Sequence, residues 1–179
     1  MAITLNGSGT ITGVSSLATA LVNPIVTTTM GVGNATPSAS GAGITFPAAL
    51  NASSDVNTLD DYEEGNWTPT VTPSGGSLTS YTSSGTYTKI GRSVYVSFTF
   101  TITNAGTASG TATIGGFPFT NLLTYQQIGI TKESVVTGTA YMVIINISAA
   151  TGTIRTFTNG SIVWTNTYQY DSSLTYVAN

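Results

Sequence analysis

The chain has 179 residues, of which only 6% are charged and 40% hydrophobic, with a net charge of -3 and no His or Cys. A soluble domain ordinarily carries about a quarter charged residues. The four cations, Lys89, Arg92, Lys132 and Arg155, cannot form the basic stripe that nucleic acid requires, and no apolar run approaches the ~20 residues of a membrane-spanning helix.

The hydroxyl-rich, β-branched composition favours strands, because such side chains are stiff in helices and fit a pleated surface. Taken in chain order, residues 1–50 are rich in Gly, Thr, Ser and Ala. Short apolar alternations, Ile3 with Leu5 and Ile11 with Val14, are separated by Gly7, Gly9 and Gly13. Too few large side chains are present for an independent core, so an extended β-rich stalk covered by identical chains is expected. The opening Met1–Gly7 lacks the charge and the apolar run of an export signal, which implies synthesis in the cytoplasm. Residues 51–65 hold the acidic cluster Asp60, Asp61, Glu63 and Glu64, closed by Gly65. Thr58 as a cap, acids at the positive dipole end and Gly65 as a stop predict one or two helical turns, forming a hinge between stalk and head.

Residues 66–179 read as an antiparallel β-sandwich head, jelly-roll-like, with strand signals at the spacing usual for such folds. The strongest lies over residues 93–103, where Val94, Val96, Phe98, Phe100 and Ile102 alternate with Tyr95, Ser97, Thr99, Thr101 and Thr103. That period of two excludes a helix. Residues 85–90 precede it across a Gly91-Arg92 turn. Further strands are expected over residues 111–114, 128–131, 135–140, 141–147, 153–157, 161–165 and 174–178, with a type I′ hairpin at Asn159-Gly160. The 141–147 segment is apolar on nearly both faces, which places it at the centre of a layered fold or at a subunit interface. Edge strands so poor in charge need covering, and both points predict an obligate oligomer. Trp67 and Trp164 are expected as core anchors.

Few groups remain for chemistry. Without His or Cys there is no imidazole base, thiol nucleophile or usual zinc ligand, so no catalytic residue, metal or cofactor is expected. Glu133 with Asp171 is the only carboxyl pair that invites a glycosidase reading, and loop acids in solvent are the simpler account. The Gly-x-Gly triplets at 7–9, 31–33 and 41–43 lack a following Lys and are turns rather than phosphate loops. Tyr168, Tyr170 and Asp171, together with Tyr125, form the candidate contact set. Tyrosine rings stack on sugar faces while carboxylates accept from sugar hydroxyls. The 122–127 and 165–173 loops would carry this contact; tyrosines capping a sheet are the alternative.

One segment has a familiar look. The run Leu59-Asp60-Asp61-Tyr62-Glu63-Glu64-Gly65-Asn66-Trp67-Thr68-Pro69 resembles the acidic segment that opens the C-terminal β domain of tail-fibre-like virion proteins from aquatic bacteriophages, cyanophages included. Gly85-Thr86-Tyr87-Thr88-Lys89-Ile90-Gly91 is similar to the hairpin that follows in those proteins, and Ile114-Gly115-Gly116-Phe117-Pro118-Phe119 to their next turn. Residues 30–37 and 43–47 resemble the links preceding that domain. The likeness spans about residues 28–120. It implies a homotrimeric attachment protein of the virion, with residues 1–50 bound to tail or baseplate proteins and the head facing a host surface glycan. Alternatives are a capsid decoration or head-fibre protein and a carbohydrate-binding adhesin module.

Overall fold

The computed structural model describes residues 29–37 and 40–178, so the strands expected over 1–28 lie outside the described residues. Eleven strands and no helix are found among them. β1 (Thr29–Gly31) and β2 (Gly43–Thr45) form a small parallel pair. The other nine make one sheet: β3 (Tyr62–Trp67), β4 (Thr70–Gly75), β5 (Ser80–Ile90), β6 (Ser93–Asn104), β7 (Ser109–Gly115), β8 (Gln127–Glu133), β9 (Ala140–Ile145), β10 (Thr151–Arg155) and β11 (Gln169–Val177). Their order is β3-β5-β6-β11-β8-β9-β10-β7-β4, and every pairing is antiparallel.

Two strands at opposite ends of this order are joined by only Thr68-Pro69. Laid flat, nine strands would separate β3 from β4 by roughly 38 Å, whereas the link reaches about 11 Å at most. The sheet therefore curls into a half-barrel, and β3 and β4 are successive halves of one strand path. Both halves run in the same direction, and two residues are too few for the crossover that parallel neighbours need. Side chains bridge the seam instead. The Val71 N–H donates to Tyr81 Oη at 3.0 Å, and Ser83 Oγ donates to the Pro69 carbonyl at 2.7 Å. Two backbone groups that would stand open on a free edge are thus satisfied.

The core lies inside the curl. Val94, Val96, Phe98, Phe100 and Ile102 from β6 meet Tyr170, Leu174 and Tyr176 from β11, with Tyr141, Val143, Ile145, Ile154, Ala112 and Ile114 from the facing strands. The alternation read along residues 93–103 is the alternation of this face. Trp67 and Trp164 both pack against the cluster, and Trp164 Nε1 donates to the Gly110 carbonyl at 2.8 Å.

Several local expectations are corrected. One continuous curled sheet stands where two sheets of a sandwich were expected. Glu63, Glu64 and Gly65 belong to β3 and not to a helical turn, because Tyr62 to Trp67 pair residue for residue with Ile90 to Gly85. The sheet thus claims four residues assigned to the hinge. Residues 135–139 are a loop, closed by the Glu133 N–H donating to the Thr139 carbonyl at 2.9 Å. Residues 161–165 join no ladder, so Asn159-Gly160 is a turn without a hairpin; Asn159 has φ 67, while Gly160 is not left-handed as a type I′ turn requires.

Candidate functional site

The three segments that carry the family resemblance converge on one corner of the half-barrel. Gly65 of β3 lies opposite Tyr87 of β5, and Trp67 lies opposite Gly85. Each aromatic ring covers the glycine across from it. A Cβ at Gly65 would sit 2.8 Å from the Tyr87 oxygen, and one at Gly85 would sit 2.3 Å from Trp67 Nε1. This is cross-strand aromatic shielding of glycine, used twice in opposite senses. The third segment adds Phe117, 5.0 Å from the Trp67 ring, and Phe119, 5.5 Å from the Tyr87 ring. Asp61 accepts from Lys89 Nζ, which also lies 5.3 Å from the Phe119 centroid. Tyr87 Oη donates to Glu63 Oε1 at 2.5 Å. That hydrogen bond and partial burial push the Tyr87 phenol up to about 12, so it remains a donor at physiological pH. These residues therefore serve packing and strand pairing.

The contact set expected from sequence does not assemble. Tyr170 is wholly buried, stacked on Phe100 at 5.0 Å with an interplanar angle of 21°, and its hydroxyl donates to the Val163 carbonyl. It cannot reach a glycan. Tyr168 packs partly buried against the core. Tyr125 is 60% exposed, but on a loop at the other end of the barrel. The Leu122 N–H donates to the Val177 carbonyl, at one end of β11, while Thr167 and Tyr168 bond to Ile102 at the other. Those ends are separated by the length of β11, about 26 Å, so the 122–127 and 165–173 loops form no common surface.

Glu133 and Asp171 are also parted. Tyr170 is in register with Glu133 and Asp171 with Lys132, so the two carboxylates project from opposite faces of the sheet. No glycosidic bond can lie between them. Inside, the Glu133 carboxylate accepts the N–H groups of Val135, Val136, Thr137 and Gly138 and the Thr137 hydroxyl. Burial alone would push this carboxyl up. The donors from Thr137, Val135 and Val136 outweigh it and hold the group down at about 2. The carboxylate organises the β8–β9 loop and faces no cleft.

Outside, Asp171 accepts from Ser134 Oγ at 2.6 Å and Gln169 Nε2 at 2.9 Å. Burial opposes its charge, yet these donors and Lys132 keep the carboxyl below its ordinary value. It closes one side of a shallow trough of about 530 Å³ that crosses β3, β5, β6 and β11. Ladder register generates this trough from two rows of small polar side chains: Asn66, Thr86 and Ser97 in one, Ser84, Thr99 and Asp171 in the other. It continues past Asp171 toward Tyr95, Ile130 and Lys132. Beyond it the outer face turns apolar. Ile128 and Ile130 of β8 are 64% and 54% exposed beside Met142 and Ile144 of β9. No cluster of metal-ligating side chains occurs among the described residues.

Comparison with family models, with curated proteins and with solved structures finds no match for this chain.

The trough escapes sequence reading because its members come from four strands. Each contributes alternate Ser, Thr or Asn residues that look like ordinary solvent-facing positions. The sequence marks Asp171 for a different grouping and Trp67 as a core anchor.

Proposed function

We propose that this chain is a structural virion protein of a bacteriophage, a short tail fibre that presents the half-barrel to a host surface glycan. Residues 1–50 serve as the stalk that attaches to tail or baseplate proteins. Three copies pack side by side, and each curled sheet acts as a flattened, sandwich-like head. The resemblance across residues 28–120 supports this reading. So does a charge content of 6%, which leaves surfaces that gain from being covered.

The observation that carries it is the division of the outer face. The apolar strip around the exposed Ile128 and Ile130, flanked by the half-buried Met142, suits contact between copies. The hydroxyl-lined half suits a sugar. Small Ser, Thr and Asn groups offer donors and acceptors, Asp171 is pre-oriented, and Tyr95, 49% exposed, offers a ring face at the trough's end.

Light scattering on the full chain tests the assembly. A molar mass near three times 18.3 kDa is expected, falling to one copy on Ile130→Asp; a monomeric wild type refutes it. Adsorption tests the receptor role. Asp171→Ala with Tyr95→Ala should block binding to host cells while Tm moves by a few degrees at most, and undiminished adsorption refutes a glycan site here. Antibody labelling of intact particles separates the tail from the head: label on the capsid would favour a decoration protein.

A further inference from the structure

We propose that the Lys89 side-chain amine and the Asp61 carboxyl condense into an intramolecular amide that staples the start of β3 to β5. Lys89 is 2% exposed and Asp61 7%, and the two are in direct contact inside the curl. Buried lysine is rare, and a lysine that points into a core is normally tolerated for what it binds or what it reacts with. Here the surroundings are aromatic: Phe119 lies under the ammonium, and Tyr87 shares its face two residues away on β5.

The partners cannot drift apart. Lys89 is fixed on β5, paired with Glu63 of β3 on one side and Val94 of β6 on the other. Asp61 is anchored by its own carbonyl, which accepts the Gly91 N–H at 2.8 Å. Holding amine and carboxyl in contact removes the entropy of encounter, one part of the barrier that isolated side chains face. Exclusion of water also protects the product from hydrolysis.

The step balances without any co-reactant. One proton passes along the Lys89–Asp61 hydrogen bond, giving a neutral amine and a neutral acid. The Lys89 nitrogen then attacks Cγ of Asp61, a C–N bond forms, the C–O bond breaks, and the hydroxyl leaves as water with a proton from the nitrogen. Glu63 stands opposite Lys89 in register, but its carboxylate is exposed and held by Tyr87, and it makes no ion pair with Lys89, so the transfer is confined to the Lys89–Asp61 pair itself. The cross-link would close a loop between residues 28 apart in a chain that has no cysteine to do the same. Like a disulfide it restricts the unfolded chain, but reductants leave it intact.

Intact-mass spectrometry of the purified full chain decides the matter. The expected mass is one water below the sequence mass. Digestion with a protease that cuts after glutamate severs the chain at Glu63 and Glu64, between the two partners. In the denatured digest, residues 1–63 and 65–133 should remain joined as a branched species. Lys89→Arg keeps the cation but has no acylable amine, so it should show the full mass and separate fragments. A folded wild type with the full sequence mass and separable fragments would overturn the proposal. So would a mass deficit that persists in Lys89→Arg.

Discussion

Gly85 offers the sharpest test of how the half-barrel is packed. In an ordinary strand, Gly→Ala stabilises by about 0.5–1 kcal/mol, because alanine loses less backbone freedom on folding. At Gly85 the added methyl would lie 2.3 Å from Trp67 Nε1 and 2.7 Å from its Cε2. The indole cannot swing away, since it is held 5.5 Å from the Phe98 ring and 5.0 Å from the Phe117 ring. Gly85→Ala must therefore displace the ring and its two aromatic contacts, at an overpacking cost of about 1–3 kcal/mol. Trp67→Ala by itself should cost about 3–5 kcal/mol. In that background the methyl has room, and Gly85→Ala should become stabilising by about 0.5 kcal/mol. The expected coupling is about 2–3 kcal/mol, read from urea unfolding of the four proteins followed by far-ultraviolet circular dichroism. If Gly85→Ala has the same effect in both backgrounds, the reciprocal shielding of glycine by aromatic rings is not what holds this corner.

Other expectations follow from single groups. The Glu133 carboxyl is lowered from 4.5 to about 2, so the stability it contributes is present above about 4.5 and is lost as pH falls through about 2. Thermal unfolding at a series of pH values should show Glu133→Gln with a lower Tm at neutral pH and a gap to wild type that narrows below about 4.5; a constant gap would contradict the carboxylate cage. Tyr81→Phe leaves the Val71 N–H at the seam without its acceptor and should cost about 1–3 kcal/mol in chemical denaturation. Tyr170→Phe removes one donor to the Val163 carbonyl and should cost about 1 kcal/mol while leaving adsorption untouched. An adsorption defect in a normally stable Tyr170→Phe protein would mean that this tyrosine reaches the surface.

What the amino-acid order settles by itself is the strand class and, along a strand, which side chains share a face. Residues 93–103 were legible almost to the residue because five large apolar groups alternate with polar ones, and only β6 satisfies that pattern. The turn at Gly91-Arg92 was equally plain, with Gly91 at φ 54. The lack of His and Cys limits the chemistry before any folding is considered. The acidic run reads as a helical turn because dipole and capping preferences act locally. Pairing with β5 overrides them, with Gly65 making room for Tyr87. The 135–140 segment looked like a strand from its Val and Thr content, yet its backbone donors are drawn to the Glu133 carboxylate, a demand that no propensity reports.

Tertiary structure alone decides which faces and ends meet. Tyr170 and Asp171 are neighbours in sequence and fall on opposite sides of the sheet. The trough gathers side chains from four strands, from Asn66 to Asp171. Alternation tells a residue which neighbours share its face, but register and strand order determine whether that face turns inward or outward and what lies beside it. Those are set by long-range pairing and by the two-residue link that forces the sheet to curl.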